Sequence, residues 1–404
     1  MIDERELILA CVRAGVSAAD NAIDSEAIAS VDWRRLVHVA RQHGVMPLVA
    51  HAMRCRADLP TEAVEMLSAW SRHHAARALA ASAQLTAAVA ALEEDGIAAL
   101  TFKGPALAVT LYGRAWMRQF TDLDVFVPER CAQRAVARLV ATGYRPVVAS
   151  EVSQTLVNAI DRTRFPIDLQ WAYGEPRHRI PVTVEDAWSS ALPIRQGGTA
   201  VRQPSLEVQA LLLASHPAKH CWSRLGWVAD FAAFEQRLAS SIDWERVLDR
   251  ARRAGGERLL LIACGLSAAL VGTTMSPAIG RRFRADARAR RLVRELQARL
   301  FSPSDAGLPL NGGYGWLESG LLYLRSRERL RDQAAYARYM CRYVAALCHV
   351  TPNRQDLAAV ALPRPLSFLY YVVRPIRLMM KYGPPSGRAL WRALTGRCVS
   401  SAFL

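Results

Sequence analysis

Asp122 and Asp124 stand two residues apart inside the apolar run Leu123, Val125, Phe126 and Val127. In a β-strand residues i and i+2 share a face, so this spacing predicts both carboxylates on one side while Leu123, Val125 and Val127 face a core. Two like charges this close repel, and the pair is costly unless a cation binds there. Hard cations with oxygen ligands, Mg²⁺ above all, suit such a site. Alone, the pattern also describes a half-buried strand with a wet face. The residues around it favour the cation site.

Upstream, Gly96 to Phe102 reads as a turn and a short apolar strand ending on Lys103-Gly104, followed by a helix-like segment from Pro105 to about Gly113. Pro fits the first turn of a helix, where its missing N–H is not needed. A Gly at a strand-to-helix turn lets backbone N–H groups approach an anion, which the helix N-terminus also favours. The chain has only three lysines, Lys103, Lys219 and Lys381, against 49 arginines. A lysine kept at this turn points to a need for a compact ammonium. Downstream, Phe165, Ile167, Leu169 and Trp171 alternate with Asp168 and Gln170, which puts a third carboxylate on the polar face of another strand. Three such aspartates can hold two metal ions, the arrangement that activates an attacking oxygen and stabilises a leaving one in phosphoryl or nucleotidyl transfer.

Lys103-Gly104, Tyr112, Arg118, Asp122-x-Asp124, Gly143-Tyr144 and Ile167-Asp168-Leu169-x-Trp171 together resemble the uncharacterised nucleotidyltransferase family of the DNA polymerase beta-like superfamily. His216-x-x-x-His220-x-Trp222-x-x-Leu225 and Asp230 resemble a helical segment of the same family. Where the superfamily usually has Gly-Gly or Gly-Ser, this chain has Gly104-Pro105. The resemblance implies an α+β fold with a polymerase beta-like core, a small mixed sheet with helices, flanked by helical regions. It implies transfer of a nucleoside monophosphate from a nucleoside triphosphate to an acceptor, with Mg²⁺ or Mn²⁺ as cofactor. Asp122 and Asp124 are then expected to hold the metals. Asp168 would complete the second site and help to deprotonate the attacking hydroxyl. Lys103 and Gly104 would bind the triphosphate, and Arg118 would steady the phosphates or Asp122. The carboxylates should converge on one pocket with Gly104 at its rim.

The 404 residues suffice for two or three domains, and 51% hydrophobic with 22% charged residues is ordinary for a globular protein. A formal charge of +16 suggests an anionic partner, whether nucleotide, nucleic acid, acidic carrier or membrane surface, although arginine drift in a biased genome gives the same number. Eight cysteines without a C-x-x-C pair argue against a zinc ribbon, and most read as buried free thiols of a reducing compartment. With the acidic start Met1-Ile2-Asp3-Glu4-Arg5-Glu6, unlike a signal peptide, this predicts a cytoplasmic protein. The uncharged run from Leu259 to Gly280 carries Gly265, Gly272 and Pro277 and reads as a buried core helix rather than a membrane span. No G-x-G-x-x-G or Walker-type motif supports a Rossmann or P-loop fold.

Composition and periodicity divide the chain into an N-terminal helical region (1–94), a core (95–195), a helical region (196–300) and a C-terminal helical region with a basic aromatic tail (301–404). Asp32 is a candidate cap for a helix that closes at His43-Gly44, and Ala63 to about Glu94 reads as a long Ala-rich helix in one or two pieces. His38, His43, His51, His73 and His74 lack ligand spacing and read as surface or satisfied core residues. Gln196-Gly197-Gly198-Thr199 reads as a turn, and the chain turns helical after Pro204. His216 and His220 share a face if Pro217 leaves the helix intact. With Lys219 they are candidate substrate contacts; packing is the alternative. Arg281 to Arg299 describes a solvated basic helix or a nucleic-acid face, and Phe301 to Gly320 a loop. Tyr336, Tyr339 and Tyr343 read as a core stripe, and the tail from Pro363 to Arg397 could lie on an anionic membrane or dock on the helices. The acceptor stays open among small molecule, peptide, protein and RNA. Two other functions fit the sequence: a nucleic-acid- or partner-binding protein with a decayed site, and a peripheral membrane protein of a surface-polysaccharide or modified-peptide pathway.

Overall fold

The computed structural model describes residues 4–16, 23, 25–173, 181–196, 199–301 and 316–349, with 360, 362–370, 372–373 and 376–377 beyond them. The chain opens with helices α1 (Glu4–Val16), α2 (Ser25–Ser30), α3 (Trp33–Gln42) and α4 (Met46–Met53). Asp32 caps α3 by accepting from the Arg35 N–H, as its position predicts. α5 (Thr61–Glu94) is a single helix of 34 residues, not two pieces. Its alanine-rich sequence contains no Gly or Pro to break it.

The sheet follows: β1 (Leu100–Thr101), α6 (Gly104–Tyr112), β2 (Leu123–Phe126), α7 (Ala132–Ala141), β3 (Tyr144–Ala149), β4 (Ser153–Asn158) and β5 (Ile167–Gln170). Its strand order is β1-β2-β5-β4-β3. β2 and β5 run parallel and the other pairs antiparallel, so the sheet is mixed and the fold α+β. Leu123, Val125, Val127, Ile167 and Leu169 pack with Leu85, Val89 and Leu92 of α5 and Leu139 of α7. That leaves Asp124, Phe126, Asp168 and Gln170 on the opposite face, as alternation requires. Gln84 of α5 grips the lead-in to β5 at two points: its Nε2 donates to the Phe165 carbonyl (2.7 Å) and its Oε1 accepts from the Phe165 N–H (3.1 Å).

α8 (Val184–Ser189) leads to an antiparallel hairpin of β6 (Leu192–Gln196) and β7 (Thr199–Gln203), which the sequence reading missed although it placed the turn. Gly197 and Gly198 of that turn lie outside the described residues. The helices α9 (Leu206–Ser215), α10 (Leu225–Leu238), α11 (Trp244–Ala254), α12 (Glu257–Leu266), α13 (Pro277–Ala285), α14 (Ala287–Arg299), α15 (Trp316–Ser326) and α16 (Leu330–His349) complete the fold. α1, α3 and α4 share one buried cluster with α9 to α12, including Leu7, Ile8, Leu48, Leu211, Phe231 and Leu260. His43 ties the halves together. Its Nδ1 accepts from the Leu225 N–H at 3.3 Å and its carbonyl from the Gly226 N–H at 2.8 Å. Burial, then the nearby Arg224 charge, holds the imidazole down to about 4, so it stays neutral and able to accept.

The uncharged run is buried, as expected, but it is not one helix. α12 stops at Leu266, a π-helical turn spans Ser267–Val271, and Gly272 at φ +86° ends it before Pro277 opens α13. Cys11, Cys221 and Cys264 are buried thiols, Cys131 is half-buried, and Cys55 and Cys341 are exposed, so burial holds for half of the described cysteines rather than for most. Cys348 and Cys398 fall outside what is described of the side chains. In the basic run, Arg281, Arg282 and Arg291 pair with Glu245, Glu257 and Glu295. Tyr336 is buried and Tyr339 packs against the core; the Tyr343 side chain, residues 302–315 of the expected loop and most of the tail lie outside the described residues. α15 already begins within the stretch read as loop.

One buried carboxyl in the helical body has no cationic partner among the described residues. Glu235 of α10 accepts from Thr273 Oγ1 at 2.9 Å, and Thr273 meets Ser267 Oγ at 2.7 Å. Burial pushes Glu235 up to about 7 against these hydrogen bonds. A raised folded-state value means that stability is whole below the unfolded value near 4.5 and is lost as pH climbs through about 7. Glu235→Gln is therefore expected to unfold at a higher denaturant concentration than the parent at pH 8, by about 3 kcal/mol. The difference should vanish near pH 4.

Candidate active site

Parallel pairing builds the site. In the β2–β5 ladder Asp124 is the register partner of Asp168, so their carboxylates lie side by side on the face opposite α5. Asp122 is placed differently from the expectation. It precedes β2, which begins at Leu123, and so is not a strand residue sharing a pleat with Asp124. It joins the group nonetheless. Burial first, then the charges of Asp124 and Asp168, raise its carboxyl to about 6, against the opposing pull of Lys103 and Arg118. Asp168 is raised too, by burial and by Asp124.

Two of the chain's own donors hold the carboxylates. Lys103 Nζ lies 3.0 Å from Asp124 Oδ1, in a pair whose side chains are only 17% and 3% exposed. Gln170 Nε2 donates to the same oxygen at 2.9 Å and to Asp168 Oδ2 at 2.6 Å. Sequence alone placed Gln170 on the face of Asp168 without assigning it to the site; the i, i+2 spacing was the available signal. Burial first, and the carboxylates' mutual repulsion after it, raises two of the three, so the cluster is short of compensating positive charge. The all-oxygen donor set fits a hard divalent cation. Among the described residues, however, no three such side chains already surround a common point. Lys103 and Gln170 hold that ground instead.

Lys103 precedes α6, and Gly104 opens it with φ +59°. A Cβ there would meet nothing nearer than the Asp122 carbonyl at 3.7 Å, so backbone conformation rather than space calls for glycine. Arg118 does not pair with Asp122. Its Nε donates to Asp230 Oδ2 at 2.8 Å, and the Tyr112 hydroxyl donates to Asp230 Oδ1 at 3.1 Å. The His74 ring touches the Arg118 carbonyl at 3.2 Å. Arg118 still faces the carboxylates, since its charge acts on Asp122 and Asp124 acts on it.

Pro217 does end α9 at Ser215, and His216–His220 form a 3₁₀ turn rather than a continued α-helix. The rings of His216 and His220 nevertheless lie 5.3 Å apart, both against Trp227. His216 reaches the site: with Phe102, Lys103, Arg118, Trp227 and Asp230 it lines a cavity of about 20 Å³, room for one water. Burial, then the charges of Lys103 and Lys219, keeps His216 well below its ordinary range and neutral. The Lys219 charge also acts on Asp168. His220 is not among the residues lining that cavity; it stacks on Trp227. Tyr173, unforeseen in the sequence, stacks on Phe126 at 4.4 Å, and its buried hydroxyl has no hydrogen-bond partner among the described residues. Burial and Asp124 push that hydroxyl upwards.

Two substitutions separate charge excess from structure. Asp122→Asn removes a carboxylate whose folded value lies above the unfolded one, so the gain appears only as pH rises above about 4 and is complete above about 6. It is expected to reach about 3 kcal/mol in chemical unfolding at pH 8. Asp230→Ala strands the buried Arg118 guanidinium and is expected to cost about 3–5 kcal/mol at the same pH.

No curated protein matches the chain in sequence. Among solved structures, ANT(2'')-Ia in complex with adenylyl-2''-tobramycin is similar at 15% identity and a TM-score of 0.32, over 43% of this chain and 97% of that one. A solution structure of the antibiotic-resistance factor ANT(2'')-Ia is similar at 16% identity and a TM-score of 0.33, over 43% and 91%. Residues 29–272, more than half of the chain and including all the residues of the carboxylate cluster, match the family described as uncharacterised nucleotidyltransferase, and the chain belongs to that family.

Proposed function

We propose that the chain transfers a nucleoside monophosphate from a nucleoside triphosphate to a hydroxyl of an acceptor, with Mg²⁺ or Mn²⁺ as cofactor. The observation that carries this reading is the in-register pairing of Asp124 with Asp168, joined by an Asp122 that burial first, and then their charges, raise to about 6. Held by Asp122, Asp124 and Asp168, the divalent cation would supply charge neutralisation on the phosphates and on the attacking oxygen. The rest is positioning. The turn at Gly104 and the N-terminus of α6 receive the triphosphate. Lys103 adds its ammonium there, and Arg118, anchored by Asp230, presents positive charge from a fixed place.

Asp168 accepts the proton of the attacking hydroxyl. Its raised value brings it closer to neutrality, where a base is most effective. The acceptor oxygen then bonds to the α-phosphorus as the bond to pyrophosphate breaks. His216, Lys219 and His220 with Trp227 form the wall on which the acceptor rests. A small molecule, a peptide, a protein or an RNA can bring such a hydroxyl, and the tail offers a second contact with an anionic membrane. A cytoplasmic setting, where the triphosphate is supplied, belongs to the same proposal.

The test is incubation with each labelled triphosphate, Mg²⁺ or Mn²⁺, and a cell extract, followed by identification of the labelled product. Asp168→Asn is expected to slow labelling about 10²–10⁴-fold while its unfolding midpoint is unchanged or higher. Absence of labelling with every base and both metals, together with no metal-dependent stabilisation by any triphosphate, would overturn the assignment.

A further inference from the structure

Asp124 Oδ1 receives two donors at once, Lys103 Nζ at 3.0 Å and Gln170 Nε2 at 2.9 Å. Gln170 also reaches Asp168 Oδ2, and so ties the two strands' carboxylates together at the register the ladder sets. One oxygen of Asp124 and one of Asp168 are thus already engaged by the chain itself. The Lys103 charge acts on Asp122 and Asp168 as well. Arg118 also acts on Asp122 and Lys219 on Asp168, but Lys103 acts on both and pairs directly with Asp124.

We propose that Lys103 is an exchangeable counter-ion: it gives up Asp124 to a divalent cation and carries its charge to the triphosphate, so that cation and nucleotide binding reinforce each other. This rests on the nucleotidyltransferase reading above. An ammonium and a divalent ion cannot share one carboxylate oxygen without strong repulsion at such range. Lys103 has somewhere to go. It sits immediately before the N-terminus of α6, where the phosphates are received, on a four-carbon stem with rotatable donors, and it is partly exposed. Arginine would not serve: its planar fork grips a carboxylate with two bonds and is slower to yield. That explains a lysine here in a chain with 49 arginines. Coupling follows from linkage. Whatever the freed ammonium gains at the phosphates appears as tighter cation binding in the presence of nucleotide, and the reverse by the same factor. Gln170, neutral, has no charge conflict with the incoming ion and keeps Asp124 beside Asp168 through the exchange.

Only three lysines need to be resolved, so the exchange can be followed directly. Reductive ¹³C-methylation keeps the lysine charge and gives signals for Lys103, Lys219 and Lys381 and for the α-amino terminus, which its lower pKa sets apart. In the parent, Mg²⁺ without nucleotide should move the Lys103 signal, assigned with Lys103→Met, towards the solvent-exposed position. Adding a non-hydrolysable triphosphate should move it again. Separately, Lys103→Met should bind Mn²⁺ at least about tenfold more tightly than the parent in the absence of nucleotide, since one repelling charge is gone. Its Mn²⁺ affinity should rise less than the parent's when triphosphate is added, because only the direct attraction between metal and phosphate remains. If Mn²⁺ binds the parent but the Lys103 signal stays in place, or if Lys103→Met binds Mn²⁺ no more tightly, the exchange is overturned while the nucleotidyltransferase reading stands. If the parent binds no Mn²⁺ with or without any triphosphate, both fall. Should Lys103→Met not fold, the parent's signals decide, with the Lys103 signal assigned by elimination from Lys219→Arg and Lys381→Arg.

Discussion

The parallel ladder between β2 and β5 is the constraint on which the site depends. It sets Asp124 directly beside Asp168 and thereby concentrates charge that folding must tolerate. The apolar alternation on the other side of the same strands makes that arrangement affordable. Leu123, Val125, Ile167 and Leu169 are fully buried against α5 and α7. Each such side chain contributes about 1.5–3 kcal/mol on burial. A slip of one residue would turn these side chains towards the polar face and the aspartates into the core. The hydrophobic register and the carboxylate geometry are therefore one specification.

The helices around the sheet fix what faces the carboxylates. Asp230 on α10 takes hydrogen bonds from both Tyr112 and Arg118, which belong to α6 and to the segment leading to β2. A charge pair this buried is poor value for stability in itself but strongly penalises any state in which one partner is missing. It accordingly locks the helical body onto the catalytic sheet at one relative position. His43 does the equivalent from the N-terminal side by capping the start of α10. Through α10, both ends of the family-matched segment press on the same wall.

Much of this was legible because it rests on local rules. Period-two alternation gave β2 and β5, and with them the faces of Asp124, Asp168 and Gln170. The Lys-Gly-Pro sequence gave the turn into α6, and Asp32 gave a cap. What was missed depends on partners distant in sequence. Arg118 looked free to serve Asp122 until Asp230, more than a hundred residues later, was seen to hold it. No local rule reveals that the anion nearest to Lys103 is Asp124. The β6–β7 hairpin escaped since its exposed outer residues and buried Gln196 and Gln203 blur the polar–apolar alternation on which strand assignment relies. The run after Leu259 was read as one helix because composition shows burial but not the π-helical turn at Ser267.

α5 contributes to both buried clusters, with Ala63 and Leu67 in the helical one and Leu85, Val89 and Leu92 under the sheet, and Gln84 between them gripping Phe165. A helix advances about 1.5 Å and turns about 100° per residue. One residue added or lost between Leu67 and Gln84 would swing the downstream half by that angle, tear Gln84 from Phe165 and present the wrong side to β2 and β5. The length of this segment is thus a ruler. Relatives that keep both clusters can diverge in its composition, but insertions and deletions have to fall in the connections on either side of it.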